Sequence, residues 1–211
     1  MTPTSPTPNP KLERFSLPER CTHWLVAGSF VYSALTGLSL WSPRLYWLAA
    51  VLGGGPTVAR WHPWAGVIFA TVFSLMFRRW HRPMRLDSDD RLWLRHSHRF
   101  IAHEESGLLE SGRFNAGQKA LFWVQALSGL TLVVSGVVLW WPESMPRLLR
   151  VSAVLVHPAA AVVSISGLIV HIYMGTAAVP GALRSMTRGW VSARWALLHH
   201  AKWYRELRRG E

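Results

Sequence analysis

Long stretches without Asp, Glu, Lys or Arg set the terms for this chain. Residues 21–41 form one of 21 residues, 120–141 one of 22, and 151–183 one of 33. A helix crossing the hydrocarbon core of a bilayer needs about 20 consecutive apolar residues. Each of these three is therefore long enough to span. Inside lipid every backbone N–H and C=O has to find its partner within the chain, which makes such stretches helical. A fourth stretch, 62–77, has 16 residues. Pro63 suits the first turn of a helix there, and Arg78, Arg79 and Arg82 at the far end can snorkel to the interface. The expected fold is an all-α membrane protein, a bundle of four transmembrane helices.

The remaining segments fit around those helices. Residues 1–13 begin with MTPTSPTPNP and read as a disordered Pro-rich tail. They do not form a signal peptide, because no basic region precedes a short apolar run. Residues 14–183 are the membrane domain. Within it, 45–59 is apolar but broken by Gly53, Gly54, Gly55 and Pro56, which places it at an interface. A long mixed-charge loop covers about 78–119, and 184–211 form a basic tail. Only 16% of the 211 residues are charged, against about a quarter in a soluble domain. The single cysteine, Cys21, excludes a disulfide framework and reads as a small packing residue.

Four helices put both termini on one side, and charge says which. Lys and Arg number three through residue 22, nine in 78–119 and seven after 180, against four in the other two connections (Arg44, Arg60, Arg147 and Arg150). Nineteen against four places both termini in the cytoplasm by the positive-inside rule. Trp41, Trp47, Trp61, Trp64, Trp140 and Trp141 then form an outer aromatic belt. The net charge of +12 flanks membrane segments, which excludes nucleic acid as its partner and assigns it to a lipid surface.

Four of the ten histidines, His23, His62, His157 and His171, fall in or at the ends of the predicted helices. An ionisable group at membrane depth is a functional candidate because burying it unpaired is costly. Depth pairs His23 with His171 toward the cytoplasm, and His62 with His157 toward the outside. The 14 residues between His157 and His171 amount to about 40° short of four turns and roughly 21 Å of rise. Both rings then face nearly the same side of one helix, one near each leaflet. That separation forbids one shared metal centre. Two separate zinc or copper sites would need further ligands, and no Asp, Glu or second Cys lies at that depth. Two b-type haems need only two imidazoles each and an apolar slot. Gly28, Gly37, Gly66, Gly129, Gly136 and Gly167 would let a porphyrin approach the backbone, or serve ordinary helix packing.

Six segments carry a resemblance to a known family: ERCTHW (19–24), RWHPWAGV (60–67), RFNAGQKALFW (113–123), LVHPAAAV (155–162), HIYMG (171–175) and RWALLHHAKWYRE (194–206). With them the chain resembles the membrane-anchoring gamma subunit, the cytochrome b, of respiratory formate dehydrogenases. The resemblance runs from about Arg14 to Leu207. It implies two haems b, an inner one on His23 and His171 and an outer one on His62 and His157. It implies a quinone pocket (menaquinone or ubiquinone) matched by Asn115, Gly117 and Gln118 with His171. It implies an iron–sulfur beta subunit and a molybdenum- or tungsten-pterin alpha subunit as partners. Electrons from formate would enter on the outer side and reduce quinone on the cytoplasmic side of a bacterial inner membrane. No formate chemistry is expected in this chain. Read from the residues alone, Asn115 and Gln118 are helix-capping groups.

The four-histidine pattern is shared with the cytochromes b of hydrogenase and thiosulfate reductase, which are the alternatives within the class. A structural anchor without haem is the alternative outside it. His81, His96, His98 and His103 lie in the predicted loop and read as solvated surface. His199 and His200 precede the basic end and suit a surface role, a proton relay or a partner contact.

Overall fold

The protein is described by a computed structural model covering residues 10–95 and 111–210. The loop histidines His96, His98 and His103 lie outside the described residues. Nine α-helices and two short strands occur among those described. The chain begins with β1 (Lys11–Glu13) and α1 (Leu17–Trp41), then α2 (Trp47–Val51), α3 (Gly55–Trp80) and α4 (Ser88–Arg95). After the undescribed stretch come α5 (Ala116–Trp140), α6 (Arg147–Tyr173) and α7 (Ala182–Arg188). β2 (Trp190–Ser192), α8 (Ala193–His199) and α9 (Ala201–Arg209) complete it. These elements form two compact units, one of Cys21–His81 and Leu121–Ile172, the other of Met1–Arg20, Arg82–Ala120 and Tyr173–Glu211.

Among the described residues, three helices are long and apolar enough to cross a membrane: Leu17–Trp41, Ala116–Trp140 and Arg147–Ala178 with its final π-helical turn. The stretch expected as a fourth span lies in α3, a helix of 26 residues that is not one of these three. The helices start earlier than the uncharged stretches do. Glu19 accepts from both the backbone N–H and the hydroxyl of Ser16 (2.9 and 3.1 Å), a cap that starts α1 at Leu17. His23 therefore lies nearly two turns inside the helix, not at its opening. Gly53 and Gly54 take φ of +96° and +93°, a reversal open to glycine, and α3 begins at once with Pro56 in its first turn. Residues 55–59, expected in the broken segment, are thus helical. Pro63 and Pro158 both lie within helices. Each removes one backbone donor, a loss that transmembrane helices tolerate, so α6 carries His157 and His171 on one continuous helix.

Within the helical unit, small and polar residues bring α5 against α6. Ser164 donates to Ser128 (2.7 Å) and the Gln125 amide to the Ser164 carbonyl (3.0 Å), while Gly167 lies against Leu121 and Gln125. Close approach through small residues is the usual packing of membrane helices. Phe30 of α1 meets Phe69 of α3 at 5.6 Å between ring centres, and Phe69 covers Gly129 of α5.

The other unit joins the chain's two ends. Residues 11–13, counted with the disordered tail from sequence, form β1 antiparallel to β2, with Leu12 opposite Val191. Among the described residues the fold is thus helical with one small sheet, and 184–210 carries α7, β2, α8 and α9. Gly189, at φ +85°, lets the backbone pass where a side chain would strike the Phe15 carbonyl, and it accepts from the N–H groups of Arg14 and Phe15. Val191, Ala196 and Trp203 form the small core.

Arg14 is buried in this unit beside the faces of Phe15, Trp195 and Trp203. It donates to the Arg113 carbonyl and to His200 Nε2, both at 2.9 Å. Burial, then the Arg113 charge, lowers its pKa to about 9. His200, for which the sequence leaves a surface role, a proton relay and a partner contact open, is 2% exposed. Its Nδ1 donates to the Gly112 carbonyl at 2.7 Å while Nε2 accepts from Arg14. Burial and the Arg14 charge push its pKa down to about 3, so the folded ring is neutral. An unfolded histidine titrates near 6.5. Between those values the unfolded chain binds more protons, so stability is full above pH 6.5 and is lost as pH falls, by up to about 1.4 kcal/mol per pH unit. His200→Gln is expected to lose about 2 kcal/mol less than the parent chain between pH 7.5 and 5. Thermal unfolding across that range checks it, and parallel profiles for the two chains would contradict the assignment.

Candidate functional site

The two histidine pairs predicted by depth meet in the structure. The ring centres of His23 (α1) and His171 (α6) are 5.9 Å apart. Those of His62 (α3) and His157 (α6) are 6.2 Å apart. Two imidazoles on opposite sides of one metal need two bonds of about 2 Å plus, on each side, a little over 1 Å from nitrogen to ring centre. The total is roughly 6 Å, the spacing of both pairs. Among the described residues no group of three or more His, Cys, Asp or Glu is placed to hold a metal ion. Each pair could offer two imidazole nitrogens, enough for the two ligand positions of a haem and too few for a closed four-ligand zinc site.

The His62–His157 pair, expected from sequence to be the outer one, is held by hydroxyls that sequence reasoning missed. His62 Nδ1 lies 2.9 Å from Thr36 Oγ1, and His157 Nδ1 lies 2.9 Å from Ser135 Oγ. Both hydroxyls are buried. Beside them, Gly37 and Gly136 sit against the Cε1 atoms of His62 and His157 at 3.0 and 3.4 Å from where a Cβ would stand. A sequence signal for this exists. TGLSLW (36–41) ends α1 and SGVVLW (135–140) ends α5, and each is followed on the next long helix by a His-Pro dipeptide, 62–63 and 157–158. The outer pair is thus built twice from the same hydroxyl–glycine and His-Pro elements.

The inner pair is built differently. His23 stacks edge-on with Trp24 at 5.3 Å, and its buried Nδ1 has no hydrogen-bond partner among the described residues. His23 is half-buried and His171 exposed. Of the other glycines named from sequence, Gly28 and Gly66 border open space, whereas Gly129 and Gly167 are occupied in helix packing. Gly66 lies one turn beyond His62, on the same face of α3.

Asn115, Gly117 and Gln118 stand at the start of α5. The Asn115 side chain accepts from the Gln118 N–H (2.8 Å) and the Gln118 side chain from the Asn115 N–H (3.0 Å). This is the reciprocal helix cap that the residues by themselves suggest. It uses the two amide oxygens and leaves both side-chain NH₂ groups as donors. Lys119, next in line, pairs with Asp90 and with Asp87 at 3.4 Å. Asp87 and Asp90 cap α4 in the same reciprocal way, at 2.9 Å in each direction, and the donated Asp90 N–H lowers the Asp87 pKa.

Comparison with known proteins adds sequence likeness to this geometry. The family described as prokaryotic cytochrome b561 matches residues 14–189. The formate dehydrogenase cytochrome b556(fdo) subunit of Escherichia coli (strain K12) is 38% identical over 202 residues, 93% of either chain. The formate dehydrogenase cytochrome b556 subunit of Haemophilus influenzae is 35% identical over 203 residues, 93% of this chain and 83% of its own. The nitrate-inducible cytochrome b556(Fdn) subunit of E. coli K12 is 33% identical over 196 residues, 92% of this chain and 90% of its own.

Proposed function

The chain belongs to the prokaryotic cytochrome b561 family and is similar in sequence to formate dehydrogenase cytochrome b556 subunits, and from that premise we propose that it is the di-haem membrane anchor of such an enzyme. In this reading it takes electrons from an iron–sulfur subunit on the outer side and delivers them to quinone at the cytoplasmic side. A molybdenum- or tungsten-pterin subunit carries out the formate chemistry. The observation that carries the proposal is the pair of histidine couples with ring centres 5.9 and 6.2 Å apart. When bound, haem iron supplies reversible one-electron transfer, tuned by its ligands and their burial.

His23 and His171 hold the inner haem in this assignment, and His62 and His157 the outer one. The α3 helix serves as the fourth span. Its 17 uncharged residues between Arg60 and Arg78 rise roughly 27 Å from one arginine to the other, close to the core thickness of about 30 Å. The distribution of Lys and Arg around four spans supports a reading with both termini in the cytoplasm of a bacterium and the chain in its inner membrane. Asn115, Gly117 and Gln118 are assigned to the quinone pocket, where the free amide NH₂ groups donate to a quinone carbonyl.

A dithionite-reduced minus oxidised spectrum with pyridine haemochrome quantitation tests the central point. Two haems b per chain are expected. A folded preparation without haem would leave only a structural anchor. Copurification of iron–sulfur and pterin subunits with formate-dependent haem reduction separates formate dehydrogenase from hydrogenase and thiosulfate reductase.

A further inference from the structure

We infer that Thr36 and Ser135 are positioning residues for the outer haem ligands, fixing His62 and His157 as the tautomer protonated on Nδ1. The inference rests on the di-haem reading above. Its warrant is the direction of four hydrogen bonds. A threonine or serine hydroxyl has a single proton. Thr36 Oγ1 places that proton on the Tyr32 carbonyl at 2.8 Å, and Ser135 Oγ places its own on the Thr131 carbonyl at 2.6 Å. A carbonyl only accepts, so neither hydroxyl has a proton left for the histidine 2.9 Å away. The imidazole must be the donor in both bonds. Nδ1 therefore carries the ring proton, and Nε2 keeps the lone pair that a metal ligand needs.

The arrangement does more than choose a tautomer. Thr36 is 0% exposed, and its hydroxyl is locked to its own helix, so the acceptor cannot swing away with the ring. Gly37 and Gly136 give the Cε1 edge of each ring its room, so ring and hydroxyl are fixed in one orientation. Donation from Nδ1–H to an oxygen raises the basicity of the ligating nitrogen, which favours the ferric state and lowers the potential. His23 Nδ1 has no such partner among the described residues. The two sites are therefore tuned differently by the chain's own side chains.

The test uses the full chain produced with its partner subunits, in parent, Thr36→Val, Ser135→Ala, Thr36→Ser and Ser135→Thr forms. Two readouts are taken, the redox titration of each haem and the rate of haem transfer to apomyoglobin. The component missing from His62→Ala identifies the outer haem. Thr36→Val and Ser135→Ala are expected to raise the outer potential and speed loss of the outer haem about 10-fold or more, with the inner haem unchanged. Thr36→Ser and Ser135→Thr, which keep a hydroxyl, should behave as the parent. Ser135→Ala removes a single oxygen and carries the test if Thr36→Val does not assemble. Unchanged potential and transfer rate in a di-haem protein would overturn the positioning role and leave the haem assignment standing. A parent chain without haem would overturn both.

Discussion

Substituting His157 by Ala is expected to lower the haem content from two per chain to one, and His62→Ala to do the same. The two ring centres lie 6.2 Å apart; in the proposed assignment both rings serve one iron, so losing either leaves a site with one ligand. The double variant His62→Ala/His157→Ala should therefore keep one haem, as each single variant does, because residues acting as a unit are not additive. The cross-pair variant His62→Ala/His23→Ala should keep none. His171 lies about four turns from His157 on α6, far enough that substitution of one leaves the other's turn in place. Pyridine haemochrome quantitation on the four variants reads the pairing directly. A cross-pair variant that retains a haem would mean that the couples are wrongly assigned.

Lys119→Met is expected to open the unit that holds the chain's ends. The Lys119 side chain is 10% exposed and that of its partner Asp90 9%, so removal of the lysine leaves a buried carboxylate without a counterion. Breaking a buried pair from one side costs about 3–5 kcal/mol. Asp87, with its side chain 53% exposed, contributes little to the balance. Hydrogen exchange of the α4 amides, Ser88–Arg95, should accelerate by two to three orders of magnitude or slightly more, since about 1.4 kcal/mol is tenfold. Lys119→Met/Asp90→Leu, which removes both charges, should recover most of that protection. A change below tenfold in Lys119→Met would show the pair to be screened by water.

These two experiments address features that differ in how far the sequence reveals them. The histidine couples are legible because helical geometry is rigid: 14 residues on one helix fix the angle and rise between His157 and His171, and depth alone then selects their partners. Asn115 and Gln118 are legible as caps because the Asn-x-x-Gln spacing is local. Lys119 is another matter. It stands beside those caps, yet its partner is on α4, 29 residues away, and nothing in the spacing points there. The burial of His200 is likewise invisible in the sequence, because it depends on Arg14, 186 residues distant.

The hydroxyls show the limit most plainly. Ser29, Ser33, Thr71, Ser74, Ser128 and Thr131 all bond the carbonyl four residues back on their own helix, as Ser and Thr in membrane helices do. Thr36 and Ser135 make the same local bond and in addition meet a histidine. The repeat TGLSLW and SGVVLW singles them out once the pairing is known, but the local chemistry of all eight hydroxyls is alike.

By itself the sequence determined the long apolar helices and which of the four helix histidines come together, because membrane thickness and helical rise are fixed lengths that residue spacing must match. Tertiary structure decided where those helices begin, which hydroxyls face the rings, and that β1 closes on β2 across the length of the chain. Those features depend on which surfaces pack together, and pairings between distant residues leave no period in the sequence.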